Sequence, residues 1–218
     1  MSTVYDCAVP DGRRAGLAAA AGAVRTGRLV VLPTDTVYGL GCDAFSSTAV
    51  QGLLDAKGRG RNMPLPVLVG SWSTVDGLVL GVPPQARTLI EAFWPGGLSL
   101  VLRHAPSLNW DLGDTRGTVM LRMPLHPVAL ELLREVGPMA VSSANRSGQR
   151  PATTVEQARE QLAERVAVYL DGGTVGESAS TIVDLTGDKP MVLREGAVTV
   201  AEVSEVLGLT VQVAHRTS

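Results

Sequence analysis

The chain has 218 residues, 45% of them hydrophobic and 18% charged, with a formal net charge of −2. That is the make-up of an ordinary globular protein with material for one substantial core. It excludes a polycation, so any nucleic-acid contact has to come from a local basic patch.

An Ala-rich helix is expected over 13–26, ending at Gly27, followed by a buried strand over 28–32. Pro33 breaks that strand, and Thr34, Asp35, Thr36 and Tyr38 follow within six residues before Gly39 and Gly41. Ser46 or Ser47 can cap a helix that ends near Gly58. "LPVLVG" reads as a short buried strand. Ser73 and Pro83 or Pro84 read as starts of two helices, the second running through "QARTLIEAFW". "LSLVLRH" and "TVMLRMP" are strands. "HPVALELLREVG" is a helix with apolar positions 128, 129, 132, 133 and 136. "MAVSS" is a strand, and "TTVEQAREQLAERV" a helix capped by Thr153 or Thr154. "AVYLDGG", "STIVDLTG" and "MVLREG" are strands, "TVAEVSEVLG" is a last helix, and residues 209–218 are expected to fray. The alternation predicts an α/β protein with helices over a largely buried sheet. The closing strands, which lack intervening helices, predict a partly antiparallel sheet. One domain over 1–218, with its core at 12–208, accounts for the pattern.

Cys7 and Cys42 fit no metal-ligand spacing and suit a reducing cytoplasm. The N-terminus lacks a basic start before an apolar core, and "GLAAAAGAV" is too short to span a bilayer, so no membrane contact is expected. His104, His126 and His215 do not pair at ligand spacing and read as surface or loop residues.

Five segments could carry chemistry. In "AKGRGRNMPLP", Lys57, Arg59 and Arg61 alternate with glycines, which suits either anion binding or a solvated helix end. Arg122 and Arg194 follow apolar strand residues, so each needs a fixed acceptor, from a ligand or from an internal salt bridge. Ser142, Ser143 and Asn145 after "MAV" can donate to a phosphate or simply form a turn. Ser178, Ser180 and Thr181 pose the same choice. "GLGCDA" imitates a dinucleotide fingerprint, but Pro33-Thr34-Asp35-Thr36 intervene between strand and glycines and "KGRGR" stands where an acidic residue belongs. There is no G-x-S-x-G, which demotes a serine hydrolase.

In order, "PTDTVYGLGCDA", "KGR" with "PL" after it, "FWPGGLSLVL", "TVMLRMP", "SSANRSG", "STIVDL" and "VLREGAV" resemble the YrdC-type threonylcarbamoyl-AMP synthases, from about Gly27 to Gly196. The resemblance implies a twisted open mixed sheet flanked by helices, with a concave basic face. It implies condensation of ATP, L-threonine and bicarbonate to threonylcarbamoyl-AMP and pyrophosphate, with Mg²⁺ accompanying the nucleotide. A tRNA-threonylcarbamoyl transferase complex would use the product beside the anticodon. The family's K-x-R and S-x-N signature falls on Lys57, Arg59, Ser143 and Asn145, as catalytic residues. By similarity Thr36, Arg122 and Ser180 contact threonine, and Lys57, Arg59, Thr118, Ser143 and Arg194 contact ATP. The chain departs from many relatives at Gly60, Met63, Leu68 and "FWPGG", and looks like the single-domain form. A non-catalytic module contacting tRNA or double-stranded RNA is the alternative; 4% aromatic residues is little for base stacking.

Overall fold

The computed structural model describes residues 2–176 and 178–214. Its strands are β1 (Thr3–Asp6), β2 (Val30–Leu32), β3 (Gly39–Asp43), β4 (Val67–Leu68), β5 (Leu98–Arg103) and β6 (Thr118–Arg122). They continue with β7 (Met139–Ser143), β8 (Val168–Asp171), β9 (Thr181–Asp184), β10 (Met191–Arg194) and β11 (Gln212–Val213). The helices are α1 (Pro10–Arg25), α2 (Ser47–Lys57), α3 (Ser73–Leu78), α4 (Pro84–Phe93), α5 (Pro127–Val136), α6 (Val155–Leu162) and α7 (Val200–Leu207). A 3-10 turn, Ala163–Arg165, follows α6.

One open sheet runs β1-β8-β2-β3-β7-β4-β6-β5-β9-β10-β11. It is mixed, and the antiparallel pairs are not confined to the C-terminal strands. β2–β3, β3–β7, β4–β7 and β5–β6 are antiparallel, as is β9–β10.

Local chemistry explains most boundaries. Ser46 accepts the amide of Ala49 at the start of α2, and Gly58 ends that helix at φ 61°, a conformation glycine adopts without penalty. Thr199 and Glu202 close a capping box on α7. Pro127 opens α5, which turns Val128, Ala129, Leu132 and Leu133 into the core. The helix read over 153–166 stops at Leu162 and tightens into the 3-10 turn.

Two strands are invisible in the pattern. β1 is short and half exposed at the sheet edge. β3 contains Gly39 and Gly41, glycines suited to tight backbone packing, and their missing side chains do make room for β7. A Cβ on Gly39 would lie 2.6 Å from Val141 Cγ1, and one on Gly41 2.9 Å from Met139 Cε. The fraying expected after residue 208 does not hold at Gln212–Val213, which pairs in parallel with β10. His215, with the rest of 215–218, lies outside the described residues.

The sheet has a core on each face. One gathers Leu40, Leu53, Val67, Leu89, Leu100 and Leu121, where α2 and α4 pack. The other, beneath α1 and α5, gathers Leu32, Leu132, Val141 and Leu170 and ends at Leu68 of β4. Beyond β4 that second face is open. Register puts Leu68, Arg122, Met120, Thr118, Ser99 and Ile182 on it together.

Candidate active site

A cavity of about 360 Å³ opens on this uncovered face, where the strand break after β2 meets β4, β6, β7 and β9. Arg59, Arg122 and Arg194 line it with the hydroxyls of Thr36, Ser143 and Ser180. Thr34, Ser99 and Ser142 add three more hydroxyls.

Pro33 ends β2 and turns the next residues across the open face. There Arg122, only 6% exposed, is held on three sides. Its Nε donates to Gly96 O at 2.9 Å, its Nη1 to Thr36 Oγ1 at 2.8 Å and its Nη2 to Asp35 Oδ1 at 2.7 Å. Asp35 Oδ1 also accepts the Leu125 amide at 2.8 Å. Burial pulls the Arg122 guanidinium below the ordinary arginine range; Asp35 opposes that, and the Arg194 charge adds to it. The internal salt bridge left open by sequence therefore exists, but it occupies only part of the fork. A guanidinium has five N–H groups, and three are engaged here.

The Thr34 hydroxyl donates to Val37 O at 2.6 Å and accepts the amides of Thr36 and Val37. Thr36 Oγ1 lies 3.1 Å from it and accepts from Arg122 Nη1, which fixes the Thr36 side chain at the cavity.

Gly58 splits the K-x-R pair. Before it, Lys57 turns inward and is 3% exposed. Its Nζ donates to Ser143 O, to Asn145 O at 2.6 Å and, at a long 3.5 Å, toward Asn145 Oδ1. After it, Arg59 reaches the cavity wall. Its Nη1 donates to Ser142 Oγ at 3.1 Å, while Nε and Nη2 hold Met63 O and Pro64 O. Burial lowers the Arg59 guanidinium as well. Asn145 faces its own loop, donating to Arg146 O and Gln149 O. Neither Lys57 nor Asn145 lines the cavity.

At the far wall, Arg194 donates through Nε and Nη2 to Ser180 O, and Ser180 Oγ sits 2.9 Å from Ser99 Oγ. Gly196 permits this closure, since a Cβ there would fall 2.1 Å from Ala179 O. Thr181 spends its hydroxyl on the carbonyl of Val198, and Ser178 stays exposed outside the cavity. Thr118 shares the open face with Arg122 but lies four residues along β6, about 13 Å away at strand rise, and also falls outside the lining.

Structure therefore brings together Thr36, Arg59, Arg122, Ser143, Ser180 and Arg194, and sets Lys57, Asn145 and Thr118 apart. Sequence reading did not place Ser99; for Asp35 it offers Lys57 or an arginine as partner, and the structure supplies the arginine, Arg122. Ser99 carried one signal, a hydroxyl alternating with leucines in "LSLVL". Which arginine Asp35 holds carried none, because Arg122 is 87 residues away.

A larger hollow of about 580 Å³ lies beside α2 between Arg28 and Arg165. Arg165 there is committed to the carbonyls of Asp55 and Ala56, and the hollow gathers none of the convergent hydroxyls. Chemistry favours the smaller cavity. Neither His104 nor His126 lines it, so no serine triad forms there among the described residues. Gly39 and Gly41 lie within a strand rather than opening a helix, which removes the dinucleotide reading.

The Sua5/YciO/YrdC family profile, described as telomere recombination, matches residues 22–196. A Mycobacterium tuberculosis protein, provisionally named a threonylcarbamoyl-AMP synthase, is 64% identical over 210 residues, covering 96% of this chain and 97% of that protein. A Bacillus subtilis protein named threonylcarbamoyl-AMP synthase is 40% identical over 195 residues, covering 88% of this chain but 56% of its own length. The crystal structure of Pyrococcus abyssi Sua5 complexed with L-threonine superposes with a TM-score of 0.90 at 33% identity. That match covers 98% of this chain and 62% of the other. With the profile spanning most of the sequence and the open sheet reproduced, the chain belongs to the Sua5/YciO/YrdC family.

Proposed function

We propose that this chain is an L-threonylcarbamoyladenylate synthase. The observation that carries the reading is the convergence of three guanidinium groups and a ring of hydroxyls on one cavity beside one half-buried acid, Asp35, already paired. That arrangement suits several anions held close together, and it supports a basic character for this face. The relatives' names and the threonine complex point the same way.

In the proposed reaction the threonine amine adds to CO₂ derived from bicarbonate and loses a proton, giving an N-carboxylate. A carboxylate oxygen attacks the α-phosphorus of ATP, the P–O bond to the β-phosphate breaks, and pyrophosphate leaves. The nucleophile is already an anion, so the protein's task is to offset charge and fix geometry. In this reading Arg59, Arg194 and Ser143 face the nucleotide. Thr36, Ser180 and the unengaged edge of Arg122 face threonine. A tRNA-modifying transferase complex is the consumer this product needs, and a cytoplasmic setting fits the two unpaired cysteines. Among the described residues no helix is long and apolar enough to cross a membrane. Direct RNA contact is the less favoured reading.

The lining does not fit a resident divalent cation. Among the described residues no group of three His, Cys, Asp or Glu side chains could hold one. We place Mg²⁺ on the nucleotide phosphates, as part of the substrate.

Pyrophosphate release should require ATP, threonine and bicarbonate together and should stop with EDTA. Release without threonine or bicarbonate would mark a generic ATPase and overturn the proposal. Within this reading, Arg122→Lys keeps charge but loses the planar fork. Forfeiting charged hydrogen bonds of about 1.5–3 kcal/mol should raise threonine KM about 10- to 150-fold at similar ATP KM. An unchanged threonine KM would remove Arg122 from the pocket.

A further inference from the structure

We propose that Lys57 is a positioning residue whose ammonium ties the end of α2 to the backbone of Ser143 and Asn145, and that it does not contact phosphate. The inference deepens the proposed function, on which its kinetic part rests. An ammonium has three N–H groups, and all three point at oxygens of this one loop: Ser143 O, Asn145 O and Asn145 Oδ1. None remains for a ligand, and the side chain is 3% exposed behind the cavity wall.

The tie is reciprocal. The Ser147 amide donates to Lys57 O at 2.8 Å, so the same residue holds the loop from its backbone as well. Asn145 Nδ2 then fixes the carbonyls of Arg146 and Gln149, which sets the turn following β7. A cation is also at home at a helix C-terminus, where the backbone dipole is negative. The consequence reaches the cavity through neighbours: Ser142 and Ser143 belong to the strand end being clamped, and Arg59, two residues on, bonds Ser142 Oγ. Lys57 thus sets the wall that Arg59 and Ser143 present.

The charges around it are identifiable. Burial, and to a lesser degree Arg59, pull the ammonium down to about 8. From the 3-10 turn, Arg165 donates to the carbonyls of Asp55 and Ala56 on the same helix end. From the β7 loop, Arg146 turns its Nε to Gln161 O. A neutral amine keeps only two N–H donors, so raising pH through about 8 should loosen the loop.

Hydrogen exchange on the ligand-free full chain tests this without any reaction. In Lys57→Met, protection factors at the Asn145, Ser147 and Gln149 amides should fall about tenfold or more, while the central amides of β7 keep theirs. In the unaltered chain the same three should lose protection between pH 7 and 9.5, and Lys57→Arg, whose charge persists, should abolish that pH dependence. If Lys57→Met does not fold, the wild-type pH comparison and Lys57→Arg still decide. Kinetically, the fall in turnover above about pH 8 should persist at saturating ATP, because the defect lies in placement and not in nucleotide affinity. Unchanged loop protection, with a loss confined to ATP affinity, would make Lys57 a phosphate ligand and overturn the proposal. If no pyrophosphate forms under any condition, the proposed reaction fails while the exchange result still judges the clamp.

Discussion

Arg59→Ala is expected to lower threonine-dependent pyrophosphate release by about 10²- to 10³-fold, the usual effect of deleting one preorganised charged donor at a site of developing charge. The transition state brings an anionic carboxylate to a polyphosphate, and the reaction stalls unless positive groups stand there beforehand. Arg59 is preorganised for this. Its three nitrogens are held by Met63 O, Pro64 O and Ser142 Oγ, so little reorganisation accompanies the chemical step. Two of its five N–H groups are not used by these bonds. The fold should survive, because those partners lie in a half-exposed loop and at one strand end and not in the hydrophobic core. Circular dichroism and the unfolding midpoint would verify that. Normal turnover in a folded Arg59→Ala protein would remove this residue from the reaction.

The largest stability effect belongs to Asp35→Ala. The side chains of the Arg122–Asp35 pair are 8% and 18% exposed, so Arg122 is buried and Asp35 largely shielded beside it. Removing one partner leaves a charge without compensation, and such changes cost about 3–5 kcal/mol. For a domain of this size that corresponds to a drop in Tm of about 6–20 °C. The Leu125 amide would lose its acceptor as well. Asp35→Asn separates geometry from charge: its amide oxygen can still accept from Arg122 Nη2, so it should recover part of the stability and of the threonine affinity. A shift within about 1 kcal/mol for Asp35→Ala would mean the ion pair does not organise the cavity.

These two results would bear on different links. Arg59 concerns charge at the reacting centre, and Asp35 concerns how a buried arginine is held ready. The departures from relatives fit around them. Gly97 of "FWPGG" has no room for a side chain, because a Cβ would lie 2.6 Å from Ala197 Cβ. Gly96 supplies the carbonyl that fixes Arg122 Nε. Leu68 lines the cavity between them, an apolar surface beside the arginines.

Most helices were legible in the sequence because caps, proline starts and closing glycines are local: Ser46, Gly58, Pro84, Pro127, Thr154 and Gly208 each act within a turn of their own position. The candidate residues were legible in type for a similar reason, since arginines and clustered hydroxyls at strand ends need partners wherever the chain goes. Strand identity was less so. Gly39–Asp43 carries no strand pattern in isolation and becomes a strand only because β7 lies against it with Val141 and Met139. The assignment of partners could not be read at all. Asp35 meets Arg122 across 87 residues, and Lys57 meets Ser143 across 86, through a sheet order that no local pattern encodes. The sequence by itself determined which residues are able to do chemistry, since side-chain type is local. Only the tertiary structure decided which of them face the cavity and which hold its walls, because a buried charge must find its partners in three dimensions before any group is left for a substrate.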